Sequence, residues 1–129
     1  MALRLIIVLL ALIDGVLHLW LNIALFRGNF FGPLGFPSPF PLPLNQLFTL
    51  NFIGYVVLAI LFWFSPRLLG ARQWLIDVLL IVLSVLSFIG WIQIGAPNPM
   101  GLGYLSKAIE ATLIIALVVH MREVMRTHP

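Results

Sequence analysis

The chain has 129 residues, 62% hydrophobic and 9% charged, with a net charge of +3 and a mean hydropathy of +1.13. This composition excludes a water-soluble globular domain and reads as a single membrane domain over residues 1–129. The pI near 10.2 does not indicate nucleic-acid binding, because the seven Lys and Arg residues are scattered instead of gathered in one patch.

Four apolar stretches, residues 3–26, 45–64, 74–94 and 104–121, fill most of the chain. A spanning helix needs about 20 mostly apolar residues at 1.5 Å rise each, so four transmembrane helices are expected. The runs are continuous and not alternating, which argues against a β-barrel. The expected fold is therefore all-α: an integral membrane protein built as a four-helix antiparallel bundle. The absence of cysteine excludes disulfides and thiolate metal sites.

The first stretch begins like a signal peptide, with Arg4 ahead of an apolar run. The run continues past Asp14 to Phe26 with no small-residue cleavage site, so a retained helix is expected. The loop at 28–44 carries Pro33, Pro37, Pro39, Pro41 and Pro43, interleaved with Phe36, Phe40 and Leu42. Alternate prolines forbid helix, and so greasy a loop belongs at the membrane interface, as a lid over the helix ends or as a connector. The second stretch is followed by a short basic loop with Arg67 and Arg72, and the third by a Pro- and Gly-rich turn from 95 to 103.

Trp20, Trp63, Trp74 and Trp91 fall near helix ends, as interfacial aromatic belts require. Arg4, Arg67, Arg72, Arg122 and Arg126 fall on one side of a four-span topology, against Arg27 and Lys107 on the other. The positive-inside rule then places both termini in the cytoplasm. The compact, tail-free design suggests a prokaryotic plasma membrane. The basic tail with Arg122, Arg126 and His128 suits anionic lipid.

Polar residues inside spans mark function or helix contacts. Counting from the inner face at 1.5 Å per residue, Asp14 lies about 15 Å, His18 about 21 Å and Asn22 about 27 Å along helix 1, on one face. The same count places Asn51 at about 21 Å and Tyr55 at about 15 Å on helix 2. On helix 4 it places Lys107 at about 25 Å and Glu110 at about 21 Å, with Tyr104 at the outer edge. Helix 3 adds Ser84 and Ser87 at roughly 15–20 Å. These groups avoid lipid by facing one another. Asp14, His18, Asn22, Asn51, Tyr55, Tyr104, Lys107 and Glu110 are thus the candidate pocket for a proton or small polar ligand. In that pocket His18 would serve as proton relay and Lys107 would meet an anionic headgroup at the outer surface. Gly15 and Gly54, at matching depth, would let helices 1 and 2 approach closely.

The alternative is that Asp14–His18 and Lys107–Glu110 neutralise each other locally and only hold the bundle together. Carboxylates with an imidazole suit zinc or iron, but one histidine and two acids form no metal motif, so no metal and no other cofactor is expected. Bis-histidine haem is also not expected, since His18 and His120 lie about 15 Å apart in depth. Near the inner face Asp77 and His120 are at similar depth, although Arg67, Arg72 or Arg122 are the more obvious partners for Asp77.

Three functions fit. The first is a non-catalytic membrane protein or accessory subunit, with lipid, other membrane subunits or a second copy as partners. The second is a small transporter or binding protein using the polar pocket. The third, a membrane enzyme with His18 and Glu110 as acid and base on a lipid, lacks a visible nucleophile.

Overall fold

The computed structural model describes residues 1–33 and 38–129, so Phe36 and Pro37 of the proline-rich loop lie outside the described residues. Four helices form, α1 (Ala2–Phe26), α2 (Leu44–Leu69), α3 (Trp74–Gln93) and α4 (Leu102–Thr127). Short 3-10 turns, Gly70–Arg72 and Pro99–Gly101, precede α3 and α4. Each helix is long and apolar enough to cross a membrane. At 1.5 Å per residue the 20 residues of α3 span about 30 Å, the thickness of a bilayer's hydrocarbon core.

The helices pack as a square, with α1 against α2 and α4, and α3 against α4 and α2. Cross-helix hydrogen bonds show that all four seams are antiparallel. Arg4 at the start of α1 meets Phe62 near the end of α2 and His120 near the end of α4, Asp77 near the start of α3 also meets His120, and Asn51 and Tyr55 along α2 meet Ser87 and Ser84 in reverse order along α3. One end of the bundle therefore holds both chain ends and the Gly70–Arg72 turn, and the other holds the two long loops. Trp63 and Trp74 lie at the first end, Trp20 and Trp91 at the second.

The bundle is polar inside and apolar outside, the reverse of a soluble protein. Leu9, Val16, Val57, Ile60, Leu79 and Ile115 are among many large apolar side chains on the outer surface. Asp14, Asp77 and Glu110 are fully buried. Between two polar layers lies an apolar middle made of Ile7, Ala11, Ala59, Phe62, Leu80, Leu113 and Leu117. Each helix contributes to it at 3- or 4-residue spacing, so one stripe per helix carries polar, apolar and polar residues in turn.

Two helices run beyond their apolar stretches. Helix α4 continues from 121 to Thr127, because Arg, Glu and Met favour helix and a helix need not end where the lipid does. Helix α2 continues through Pro66 to Leu69. A proline has no N–H, so the carbonyl four residues earlier, that of Phe62, loses its helical partner. The Arg4 guanidinium and the Ser65 hydroxyl donate to that carbonyl instead.

Arg4 also donates to Gln73 Oε1 and His120 Nε2, both at 3.1 Å, and stacks over the Phe62 ring. His120 Nδ1 in turn lies 3.0 and 3.1 Å from the two oxygens of Asp77. Since arginine only donates, His120 Nε2 is the acceptor and Nδ1–H donates to Asp77. Asp77 thus pairs with His120 and sits near Arg4, in place of the other arginines that the sequence favoured. One lock joins all four helices, and with neutral His120 its charges cancel.

Glycine opens the α1–α2 seam on one side only. A Cβ at Gly15 would lie 3.1 Å from Tyr55 Cβ, which marks a close helix approach. Gly54, expected opposite Gly15, instead faces Leu83 of α3.

Replacing Arg4 with Met should destabilise the bundle by roughly 1–3 kcal/mol, because the Phe62 carbonyl, Gln73 and His120 lose their common donor. Arg4→Lys should restore only part of this, because an ammonium cannot serve the Phe62 carbonyl, Gln73 and His120 together. Denaturation in mixed micelles measures both, and an unchanged midpoint for Arg4→Met would show that the lock holds nothing.

Candidate functional site

The second polar layer lies toward the long-loop end, and its centre is Ser87 of α3. Four polar groups from the other three helices surround its hydroxyl. His18 Nε2 is at 3.0 Å, Lys107 Nζ at 3.1 Å, Asn51 Nδ2 at 3.2 Å and Glu110 Oε1 at 2.6 Å. Lys107 also donates to Glu110 Oε2 at 2.7 Å, and its ammonium lies 5.9 and 5.8 Å from the centres of the Phe88 and Trp91 rings. Tyr55 OH sits 3.0 Å from Ser84 Oγ and 3.4 Å from Glu110 Oε1.

His18 bridges the two acids. Its Nδ1 lies 2.9 Å from the Asp14 carbonyl and 3.5 Å from Asp14 Oδ2, and its Nε2 lies 3.7 Å from Glu110 Oε1. Asp14 Oδ1 accepts from Ser106 at 2.6 Å, whereas Oδ2 has no hydrogen-bond partner among the described residues. The rings of Phe48 and Tyr55 pack beside the imidazole at 5.9 and 5.7 Å between centroids.

Of the eight residues singled out from sequence, Asp14, His18, Asn51, Tyr55, Lys107 and Glu110 converge here. Asn22 does not: its amide donates to the Asn45 carbonyl at 2.8 Å and to Thr49 at 3.3 Å. There, Asn45 and Thr49 also collect the loop carbonyls of Asn29, Phe30 and Gly32, so Asn22 helps anchor the long loop. Tyr104 also lies elsewhere, 62% exposed, with its ring on Trp91 and its backbone N–H on Asn98. Lys107 is only 6% exposed, so it serves the buried layer and not the outer surface. The i, i+3 step to Glu110 turns it inward.

Ser87 and Ser106 complete the layer. The Ser84–Ser87 pair, at helical spacing in an otherwise apolar stretch, was the sequence signal for one of them. Nothing in the sequence marks Ser106, which becomes important only because α4 brings it against Asp14.

A cavity of about 340 Å³ adjoins this layer. Its walls include Phe40, Leu47, Phe48, Leu83, Leu86 and Trp91, and its polar side is formed by His18, Asn51, Ser87 and Lys107. Leu50 and Leu86 line it while being 44% and 62% exposed, so it opens between α2 and α3 onto the outer surface of the bundle.

Ligand atoms of Asp14, His18 and Glu110 lie within 4.8 Å of one another, close enough to hold a metal ion. The ammonium of Lys107 already occupies Glu110, and only Asp14 Oδ2 is free, so the donors do not fit a divalent cation. The order Ser87–His18–Asp14 also resembles a nucleophile, base and orienting acid. The Ser87 hydroxyl is closer to Glu110 than to His18, however, and its oxygen is crowded by four polar groups, which suits a relay better than a nucleophile. No protein-family model, curated protein or solved structure matches this chain.

Lys107→Met alone should cost about 3–5 kcal/mol, because Glu110 is left buried and unpaired. Combining it with Glu110→Gln should recover most of that loss. A denaturation double-mutant cycle tests the pairing, and strictly additive losses would show that the two residues do not act together.

Proposed function

We propose that this chain is a multi-pass membrane protein that binds an amphipathic ligand inside the bilayer. One observation carries the reading: an apolar cavity, open between α2 and α3, that ends on a buried cluster of hydrogen-bonding and charged side chains. Its volume is within the range of ligand pockets, about 300–1,000 Å³. Apolar walls suit a hydrocarbon body, and Lys107, Asn51 and His18 suit a head with an oxygen acceptor. Phe40 on the cavity wall supports the lid role for the long loop. The accessory-subunit role draws on neither the cavity nor the buried charges, so the pocket reading is preferred.

The proposed orientation puts both described chain ends and the Gly70–Arg72 turn in the cytoplasm. It is supported by exposed Arg67, Arg72, Arg122 and Arg126 at that end against exposed Arg27 at the other. The apolar middle supports a pocket reached from one side over a channel through the bundle.

A photoactivatable long-chain alcohol in vesicles should label Leu47, Leu83 or Leu86 in preference to Leu9 or Val57 on lipid-facing surfaces. Gly90→Trp, which fills the cavity, should abolish that preference while helix content is kept. Uniform labelling unaffected by Gly90→Trp would refute the pocket. In intact cells, cysteine placed at Ser38 should react with an impermeant maleimide, and cysteine at Arg72 only after lysis; the opposite pattern would invert the orientation.

A further inference from the structure

The donors and acceptors left over on the cavity wall define the head that the cavity takes. A serine hydroxyl carries one hydrogen and two lone pairs. Glu110 Oε1 faces the Ser87 hydroxyl at 2.6 Å and accepts its hydrogen, while Lys107 Nζ at 3.1 Å and Asn51 Nδ2 at 3.2 Å donate to the lone pairs. Those three saturate Ser87, so it offers nothing to a ligand, and His18 Nε2 at 3.0 Å is a surplus neighbour of the same oxygen. Trp91 is also committed, since its indole N–H donates to the Pro97 carbonyl at 2.9 Å. Two residues on the wall keep spare capacity. An ammonium has three hydrogens, and Lys107 uses two of them, on Ser87 and Glu110. The Asn51 amide uses one hydrogen on Ser87, and among the described residues its second hydrogen and its Oδ1 make no bond. Both nitrogens donate to one oxygen, so they are close neighbours.

Charge narrows the choice further. Among the described residues that line the cavity, only Lys107 carries a fixed charge, and Glu110 already holds it at 2.7 Å. Wherever the proton sits within that pair, its sum is neutral. An anionic head therefore finds no unpaired cation. A cationic head finds no carboxylate, because neither Asp14 nor Glu110 lines the cavity, and it meets the Lys107 ammonium instead. An unpaired charge buried within membrane-spanning segments is costly.

We infer, building on the pocket reading above, that the ligand is an uncharged lipid whose head is a hydroxyl. The hydroxyl oxygen accepts from Lys107 or from the spare Asn51 hydrogen, and its own hydrogen goes to Asn51 Oδ1. Asn51 is thus the specificity-determining residue, since it alone on the wall offers a spare donor and a spare acceptor on one side chain. An ether or a ketone accepts equally well but brings no hydrogen. It leaves Asn51 Oδ1 unmet in a site walled by apolar side chains, which costs affinity.

The test uses four photoactivatable chains of one length, ending in a hydroxyl, a methyl ether, a sulfonate or a trimethylammonium, each in vesicles with the whole protein. Pocket occupancy is the labelling of Leu47, Leu83 and Leu86 that Gly90→Trp removes, which corrects for the depth at which each head sits. The hydroxyl should exceed the ether by about threefold to tenfold, the worth of one hydrogen bond. It should exceed both charged heads by about tenfold or more. Asn51→Leu, which removes the polar atoms at similar volume, should bring hydroxyl and ether within about twofold of each other, below the worth of one hydrogen bond. If Asn51→Leu does not accumulate as folded protein, the wild-type series decides. Equal occupancy by hydroxyl and ether, or highest occupancy by the sulfonate or the trimethylammonium, would overturn the inference and leave the pocket standing. If Gly90→Trp removed no labelling with any of the four, the pocket itself would fall, and the inference with it.

Discussion

A polar group that faces hydrocarbon has no water to satisfy it, so in four helices long and apolar enough to cross a membrane the polar side chains are drawn together inside the bundle. The Ser87 hydroxyl is where that constraint is most concentrated. It receives groups from the other three helices, and the Lys107–Glu110 pair at 2.7 Å closes around it. The position of each helix around the square is tied to this contact, because a rotation that exposed Glu110 or Asp14 to lipid would strand a carboxylate. The apolar outer surface imposes no such restriction, since an apolar medium accepts any of its residues equally.

The two polar layers solve the same problem differently. At the end near the chain termini, Pro66 frees a carbonyl, Arg4 takes it, and Asp77 and His120 complete a set whose charges cancel. That set has every role of donor and acceptor assigned, which is what a structural lock needs. The layer around Ser87 has, among the described residues, a carboxylate oxygen without a hydrogen-bond partner, Asp14 Oδ2, and a cavity beside it.

The apolar middle, from Ile7 to Leu117, separates the two layers. It closes off the Ser87 layer from the end that holds the chain termini, as the proposed pocket requires. The long loop contributes to that approach through Phe40, and the loop is itself fastened to α2 by Asn45, Gln46 and Thr49, which capture carbonyls of Asn29 to Gly32. Asn22 joins the same fastening. The fold thus sets the amides that hold the loop apart from the charged residues gathered around Ser87.

Sequence alone determined the helices and the depth of the polar residues, because apolar run length and a fixed rise per residue are local properties. Asp14, His18, Asn51, Tyr55, Lys107 and Glu110 were legible for that reason. Rotation about each helix axis was not legible from depth, and the tertiary structure decided it. It turned Asn22 toward α2, left Tyr104 at the surface, drew Lys107 inward and set Gly54 against α3. It also made Arg4 the partner of Phe62 and His120 across the bundle, and Ser106 the partner of Asp14. These are contacts between helices far apart in the chain, so no local pattern encodes them. They exist because polar groups in an apolar medium are costly until they meet, and only packing decides which of them do.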